Sequence, residues 1–224
     1  MRDAIAEAFE RAGFVLDDGQ IAAFVEYAAL LDRWNARMNL TSVRDPHEYI
    51  DAHFVDSVLI TRHVEVAQAA RIADIGSGAG FPGAPIAILR PDVHVTLMES
   101  AARKASFLHT VKSTLRLEGL SVSCERVEPD GIPAESRHAF DGVVSRYTAS
   151  VEWVATCARE MTGPGGWCAV HKYDDEDERN ALSRVSEWPD VAEVRWASDP
   201  QAAARRRFAC VEFSGPPTVA AMDA

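Results

Sequence analysis

A glycine-rich loop follows a short apolar strand in this chain, and it constrains the fold more than any other feature. Residues 72–83 read Ile-Ala-Asp-Ile-Gly-Ser-Gly-Ala-Gly-Phe-Pro-Gly. Glycines between a strand and a helix let the backbone come within contact distance of a ligand. The segment therefore predicts the first unit of a doubly wound α/β fold with a ligand site at the loop, and a simple connecting turn is the alternative.

The spacing and charge of the loop indicate which ligand it binds. A dinucleotide site requires a third glycine at the position of Phe81, so that fingerprint fails at its last position. Asp74, two residues before Gly76, would repel a pyrophosphate but suits a ligand that carries an ammonium and a sulfonium. The predicted cofactor is S-adenosylmethionine, and a nicotinamide oxidoreductase is a distant alternative.

A second acidic residue at a strand end supports the cofactor site. Residues 93–99 read as a mostly apolar strand that ends at Glu99, 19 residues after Gly80. Neighbouring parallel strands end side by side at the carboxyl edge of a sheet, where a carboxylate accepts hydrogen bonds from ribose hydroxyls. An isolated acid at a strand end is often merely solvated, but together with the loop Glu99 predicts a cofactor site.

From residue 71 onward, apolar strands alternate with helices. Helices are predicted after the first, second and fourth strands, and the last two strands are too close for a helix and should pair antiparallel. This order resembles that of the Rossmann-like class I methyltransferases, so the predicted fold class is α/β with a mostly parallel seven-stranded sheet and a C-terminal antiparallel hairpin. The predicted strands are 71–75, 93–99, 121–126, 140–145, 167–172, 191–196 and 207–213.

The N-terminal third reads as helical. Apolar residues recur at helical spacing from Ile21 to Trp34 after a start signal at Asp17, and Asp45-Pro46-His47-Glu48 signals the start of the next helix. We therefore predict an N-terminal helical subdomain over residues 1–70, a methyltransferase domain over 71–213 and a disordered tail over 214–224.

Composition limits the partners and the compartment. The four cysteines match no metal-ligand spacing and no uncharged stretch reaches membrane-spanning length, which predicts a cytoplasmic protein with reduced thiols, no metal and no membrane segment. A monomer is expected. The net charge of −11 opposes an extended nucleic-acid surface, so any RNA contact must be local. Part of that charge is the run 174–178, which reads as a solvated helix start.

Ordered motifs extend over residues 1–213 beyond the glycine loop. They are Arg33-Trp34-Asn35, the run 38–46, the residues His53, Asp56 and Ser57, Glu99-Ser100, Arg126-Val127-Glu128, Ser145-Arg146 and Lys172. Together these motifs resemble the bacterial small-subunit ribosomal RNA guanine-N7 methyltransferases, also called the RsmG or glucose-inhibited division protein B family. The resemblance implies 16S rRNA or the small ribosomal subunit as partner.

The resemblance also implies roles for individual residues. Gly76 and Phe81 should line the cofactor pocket beside Asp74 and Gly78, and Glu99 should hold the ribose. Arg146, at the end of the fourth strand, should face both the cofactor and the target base. Lys172 is the second predicted catalytic residue, as a cation for an RNA phosphate. Val127 and Glu128 should flank the adenine, and the predicted RNA-binding residues are Arg44, His53, Arg205 and Arg207.

A guanine N7 acceptor carries a free lone pair, so the predicted mechanism needs alignment rather than a general base. The chain departs from the family near the site, because Tyr147-Thr148-Ala149 stands where the family has Ala-Phe-Ala. Basic residues of the family near the C-terminus are also replaced, by Phe208 and Phe213, and Arg205–Arg207 is expected to compensate. A methyltransferase of proteins or small molecules and a non-catalytic cofactor-binding paralogue stay open as alternatives.

Overall fold

The sheet of the computed structural model confirms the predicted α/β class. Residues 1–202 and 206–215 are described, and they form a seven-stranded sheet in the order β3-β2-β1-β4-β5-β7-β6. Strands β1 to β5 pair in parallel, whereas β7 pairs antiparallel with both β5 and β6. The strands are β1 Arg71–Ile75, β2 His94–Met98, β3 Leu120–Ser123, β4 Gly142–Arg146, β5 Trp167–Tyr173, β6 Val191–Ala197 and β7 Arg206–Phe213.

Seven α-helices accompany the sheet in the described residues. Helices follow the first, second and fourth strands as predicted, and one more follows β5 where Asp175 caps the acidic run. The helices are α1 Arg2–Arg11, α2 Asp18–Met38, α3 Asp56–Leu59, α4 Gly83–Leu89, α5 Ala102–Leu115, α6 Val151–Thr162 and α7 Glu176–Ser186.

The strand order places a topological switch point between β1 and β4. The chain runs outward from β1 through β2 to β3 on one side, and through β4 to β5 on the other. Such a reversal opens a crevice beyond the carboxyl ends of the two central strands. The loops after β1, β2 and β4 therefore converge on one place, which is where the functional residues were predicted.

Helix α2 begins where the sequence signals it. The Asp17 carboxylate accepts from the Gln20 backbone N–H at 2.8 Å, and Gln20 Oε1 accepts from the Asp17 N–H at 2.9 Å, which forms a capping box. The Gln20 side-chain amide also donates to the carbonyls of Ile88 and Leu89 at the end of α4. One residue thus starts α2 and ties it to the first helix of the sheet domain.

The helical segment predicted from Asp45 starts as expected but is not a regular α-helix. Asp45 Oδ1 accepts from the His47 N–H at 2.8 Å, and a π-helical turn Ile50–Val55 then precedes α3. A single π turn inside a helix frequently marks a functional site. Here the carbonyl of Ala52, inside the π turn, accepts from Arg146 and Arg206 on strands β4 and β7.

One hydrophobic cluster joins the N-terminal helices to the sheet across residue 70. It includes Phe9, Phe24 and Phe54 from the helical segment and Ile72 and Leu97 from the strands. The division at residue 70 stays a prediction, and so does the tail, since residues 216–224 lie outside the described part. In the ranges 1–202 and 206–215, no helix has the length and apolar character to cross a membrane.

Tyr27 on α2 connects the helical segment to the glycine loop. Its ring is fully buried and its hydroxyl donates to the Ala79 carbonyl at 2.6 Å. Gly80 is required beside it, because a Cβ at Gly80 would lie 2.4 Å from that hydroxyl, at a φ of +96°. The loop conformation therefore depends on a residue more than 50 positions upstream.

We predict that Tyr27→Phe lowers the free energy of unfolding by about 1–2 kcal/mol, because the buried Ala79 carbonyl loses its donor. Urea unfolding followed by circular dichroism measures the change. Tyr173→Phe is the matched control. Tyr173 is 51% exposed, so water can replace the hydrogen bonds that are lost with its hydroxyl. Equal midpoints for the Tyr27→Phe variant and the wild type would contradict the prediction.

Candidate active site

A cavity of about 500 Å³ lies at the carboxyl ends of β1, β2 and β4. Its wall combines the backbone of the glycine loop and a few apolar side chains with many polar and charged side chains. It does not include Asp74, Phe81 or Lys172. The predicted site residues that line it are Gly76, Gly78, Glu99, Val127, Glu128 and Arg146.

Glu99 and the glycine loop hold each other in place. Glu99 is 6% exposed, its Oε2 accepts from the Gly78 N–H at 3.0 Å, and its Oε1 accepts from the Ala101 N–H at 2.8 Å. Each carboxylate oxygen keeps a lone pair for a further donor such as a ribose hydroxyl. A Cβ at Gly78 would meet nothing closer than 3.9 Å, so the loop backbone is open to the cavity at that residue.

Asp74 lies beneath the loop rather than in the cavity. Its carboxyl group is completely buried, and Oδ2 accepts from the Gly83 N–H at 2.9 Å. Oδ1 has no hydrogen-bond partner among the residues that the structure describes. Burial raises the pKa of Asp74 to about 7. Contrary to the prediction, Asp74 therefore does not line the cavity. Any attraction between its carboxyl group and the charged end of the cofactor must act through the loop.

Arg146 is held rigidly at the end of β4. Its Nη1 donates to Asp56 Oδ2 at 3.1 Å and to the Ala52 carbonyl at 3.2 Å, and its guanidinium carbon lies 4.7 Å from the centre of the Phe81 ring. Guanidinium groups are attracted to aromatic faces. The side chain is 10% exposed, and the exposed part contributes to the cavity wall.

His53 supports Arg146 from inside the protein. Arg146 Nη2 lies 3.0 Å from His53 Nδ1, and His53 Nε2 lies 2.7 Å from Thr41 Oγ1. The Arg146 contact requires a lone pair on Nδ1, whereas the Ala52 carbonyl, 2.9 Å from the same nitrogen, accepts from the tautomer that is protonated there. Burial and the charge of Arg146 lower the pKa of His53 to about 3. Contrary to the prediction that His53 binds RNA, it is buried, neutral and stacked on Phe81.

Asp56 is the centre of a buried charge cluster. One of its carboxylate oxygens pairs with Arg146 and the other lies 2.7 Å from Arg206 Nη1. Burial opposes the ionised form of Asp56, but the charges of His171, which is protonated in the acid range where Asp56 titrates, and of Arg206 and Arg146 outweigh it, so the pKa of Asp56 lies below its ordinary value. His171 itself is neutral at pH 7, since burial lowers its pKa to about 4. Two guanidinium groups therefore face one carboxylate, which leaves a net positive charge behind the cavity wall.

A smaller cavity of about 160 Å³ adjoins the first one. The two cavities share Gly76, Gly78, Arg146 and Tyr147, and the smaller one is closed by Thr41 from the helical segment and by Phe81. None of its described lining residues is a carboxylate, a histidine or a lysine. The full lining is Leu40, Thr41, Gly76, Ser77, Gly78, Ala79, Phe81, Arg146 and Tyr147.

Tyr147, where the chain departs from the family pattern, lies between both cavities. Its backbone adopts a φ of +55°, and its ring stacks on Tyr173 with ring centres 4.8 Å apart. Burial raises the pKa of Tyr147 well above its ordinary value, so its hydroxyl stays protonated at neutral pH. The next residue, Thr148, packs closely against the glycine loop. A Cβ at Gly76 would lie 2.4 Å from Thr148 Cγ2, so only glycine fits there.

Lys172 occupies a different position from the predicted phosphate contact. Its ammonium group is 8% exposed and pairs with Glu178 Oε1 at 2.7 Å, and it also donates to the Ala149 carbonyl. Glu178 Oε2 in turn accepts from the Val151 N–H at 2.9 Å. The lysine is neither solvated nor open to RNA, and it fixes the loop between β4 and α6 that carries Tyr147.

Two of the remaining predicted RNA-binding residues, Arg44 and Arg207, line neither of the two cavities. Arg44 is exposed and donates to Asn39 Oδ1 at 3.0 Å. Arg207 is paired with Asp174 at 3.4 Å, with a side chain 25% exposed. Arg205 lies outside the described residues. In the described ranges, no group of three or more metal-ligating side chains is brought together.

The cavity residues fit S-adenosylmethionine. The open backbone at Gly78 admits a ligand, the carboxylate of Glu99 suits ribose hydroxyls, and buried Val127 offers an apolar wall for the adenine. Sequence reasoning missed Asp56, although it noted the residue as part of a motif, and it missed the role of Thr41 in closing the smaller cavity. The acid two residues before the apolar run Val58-Leu59-Ile60 was the available signal for Asp56.

Comparison with known proteins gives consistent results. The family described as GidB, rRNA small subunit methyltransferase G, matches residues 20–199. A ribosomal RNA small subunit methyltransferase G from Klebsiella pneumoniae is 35% identical over 95% of this chain and 98% of that protein. One from Burkholderia thailandensis is 37% identical over 85% of this chain and 81% of that protein. A solved SAM-dependent methyltransferase from Aquifex aeolicus shares the fold with a TM-score of 0.57 at 12% identity, covering 78% of this chain and 97% of that one.

The raised pKa of Asp74 predicts a specific pH dependence of stability. The neutral carboxyl group is favoured in the folded state, so its contribution is complete below about pH 4 and is lost as the pH rises through about 7. Asp74→Asn is neutral at every pH. We expect its free energy of unfolding, relative to the wild type, to increase between pH 5 and pH 8 by on the order of 2 kcal/mol.

Urea unfolding of both proteins at the two pH values measures this difference. Asp18→Asn is the control, because the Asp18 side chain is 95% exposed and should show no such trend. A difference between wild type and Asp74→Asn that stays constant from pH 5 to pH 8 would refute the assignment of a raised pKa.

Proposed function

The chain belongs to the GidB family of rRNA small subunit methyltransferases G, and from this we propose that it methylates N7 of a guanine in the 16S rRNA of the small ribosomal subunit. S-adenosylmethionine is the methyl donor for this family and fold. We also propose that the chain acts in the cytoplasm, where the ribosomal RNA of bacteria is found, and that it acts as a monomer.

The N7 proposal is carried by one observation on the smaller cavity, which we call the acceptor cavity: none of the described residues that line it could act as a general base. Methylation of an amino or hydroxyl group requires removal of a proton, for which a carboxylate, histidine or lysine usually serves. The described residues that line this cavity include none of these, and the Tyr147 hydroxyl stays protonated. Guanine N7 has an in-plane lone pair and loses no proton before it attacks. The acceptor cavity therefore suits N7 better than a proton-bearing atom.

S-adenosylmethionine supplies an electrophilic methyl group when it is bound. The residues of this chain then need to hold cofactor and base in line, which accounts for most of the rate in such a transfer. Glu99 and the backbone at Gly78 are placed to hold the cofactor in the larger cavity, which we call the cofactor cavity. Arg146 lies where the two cavities meet.

Arg146 has the donors to orient a guanine. Three of its five N–H donors bond to Asp56, Ala52 and His53, which leaves two without a hydrogen-bond partner among the described residues. Arginine donates to guanine O6 in nucleic-acid recognition. A donor to O6 fixes the base while N7 stays free for the methyl group. The hydrogen bonds from Arg146 to Asp56, Ala52 and His53 hold its guanidinium group in this orientation.

The substrate class is tested by transfer of tritiated methyl groups. Purified small ribosomal subunits from cells that lack this gene, naked 16S rRNA, total protein and a metabolite extract are each incubated with enzyme and labelled S-adenosylmethionine. We expect label in rRNA and cleavage at one guanine after borohydride and aniline treatment, which is specific for N7-methylguanine.

Label in protein or metabolites alone would favour the alternative methyltransferase, and tight cofactor binding without any transfer would favour the non-catalytic paralogue. Comparison of naked RNA with the assembled subunit identifies which one is the substrate.

We predict that Arg146→Lys lowers kcat about 10²-fold or more, because one charged point cannot replace a clamped planar donor. Asp56 keeps its pair with Arg206 in this variant, so the fold should persist. The dissociation constant for S-adenosylmethionine, measured by calorimetry, should change by less than about threefold, since Glu99 and the glycine loop are intact. Arg184→Lys, on exposed α7, is the control. Wild-type turnover by Arg146→Lys would remove this residue from the acceptor site.

A further inference from the structure

A third cavity, larger than either of those described, lies between the end of α2 and the first turn of α5. Its volume is about 740 Å³, and it shares no lining residue with the cofactor cavity or the acceptor cavity. The residues that matter here are Arg33, Trp34, Arg37 and Met38 on α2, and Arg103 and Ser106 on α5. The proposed function has so far given this cavity no task.

The charge of this cavity is opposite to that of the whole chain. Three arginines line it and no acidic residue does, although the net charge of the chain is −11. Arg33 pairs with Glu26 at 3.4 Å, and both side chains are about half exposed or more. Solvent screens such a pair, so Glu26 neutralises little of the charge of Arg33. Arg37 and Arg103 are exposed and make no ion pair with any residue that the structure describes. The cavity thus presents uncompensated positive charge to an anionic ligand.

An aromatic ring forms part of the same wall. Trp34 is partly buried, and its ring packs against Phe107 of α5 with ring centres 5.5 Å apart at 58°. This contact holds the indole in place while part of it stays open to the cavity. Fixed aromatic rings beside arginines are the usual platform for an unpaired base and its phosphate.

The cavity is next to the two sites of the proposed reaction. Arg103 lines it and the neighbouring Lys104 lines the cofactor cavity. Met38 lines it and Thr41 lines the acceptor cavity. Three residues of chain span at most about 11 Å, so a short run of nucleotides can reach both cavities at once.

We propose that this cavity binds a single-stranded segment of the substrate RNA that flanks the target guanine, with a base against Trp34 and phosphates on Arg37 and Arg103. The inference rests on the proposed function and extends it by naming where the RNA is held. A local basic cavity also accounts for RNA binding by an acidic protein, since two or three phosphate contacts need no basic surface elsewhere.

The test measures binding of a fluorescein-labelled single-stranded RNA of about twelve nucleotides by anisotropy, a length within the range that such surfaces cover. The double variant Arg37→Gln and Arg103→Gln should bind about tenfold more weakly or worse. The slope of log affinity against log salt should also fall by about 1.4, which is 0.7 for each phosphate contact on a single strand. Arg116→Gln, which removes one positive charge at the opposite end of α5, is the control for each of the single variants Arg37→Gln and Arg103→Gln.

Trp34 is tested separately with two variants. Trp34→Leu keeps an apolar contact with Phe107 but removes the stacking surface, and it should weaken RNA binding about fivefold or more. Trp34→Phe keeps an aromatic face and should recover most of that affinity. Affinity for S-adenosylmethionine should be unchanged in all of these variants, because none of the residues lines the cofactor cavity.

An experiment on the wild-type protein tests the inference independently of whether the variants fold. Photo-crosslinking with RNA that contains 4-thiouridine, followed by mass spectrometry, should attach nucleotides within residues 33–38 or 103–106. Crosslinks confined to other surfaces, or wild-type affinity and salt slope in the arginine double variant, would overturn the inference.

The inference and the proposed function fail in different ways. If the wild type binds RNA through this cavity but transfers no methyl group to rRNA, the proposed function fails and the RNA site stands. If the arginine double variant methylates small subunits with the KM of the wild type, the RNA site fails and the proposed function stands. If Arg116→Gln loses as much affinity as each of the single variants, the effect is general electrostatics and the inference is wrong.

Discussion

A single buried carboxylate, that of Asp56, joins three parts of the chain that are far apart in sequence. It belongs to the helical segment, and its partners Arg146 and Arg206 come from β4 and β7. Removing three charges from water costs free energy that such a cluster does not fully recover, so its value is better sought in geometry than in stability. What it secures is the position of Arg146, over the Phe81 ring at the place where the two cavities meet.

The N-terminal helices are therefore part of the site rather than an accessory to it. The π-helical turn presents the Ala52 carbonyl to both arginines, and Thr41 closes the acceptor cavity. Tyr27 holds the Ala79 carbonyl of the glycine loop from the other side. A sheet domain without these helices would keep the cofactor residues, but it would lose the clamp on Arg146 and one wall of the acceptor cavity.

The features that sequence predicted well are those encoded locally. Apolar runs located all seven strands, the glycine spacing located the loop, and the strand ends located Glu99 and Arg146. Contacts between distant residues were beyond such reasoning, because nothing near Lys172 indicates that Glu178 will neutralise it, and nothing near His53 indicates that Phe81 and Arg146 will enclose it. Both residues were predicted to contact RNA, Lys172 as a cation for a phosphate, and both are buried. Charge in a sequence says little about exposure until the partner is known.

The electrostatics of the site follow from how each acid is placed. Asp74 is capped by the Gly83 N–H beneath the loop, Glu99 is occupied by two backbone donors at the cofactor side, and Asp56 is enclosed by guanidinium groups. None of the three reaches the acceptor cavity, which contains only neutral groups and one face of Arg146. An acceptor that must lose a proton finds no base there, whereas one with a free lone pair needs only orientation. The chemistry that this site favours is thus decided less by a group that it supplies than by the carboxylates that the fold keeps away.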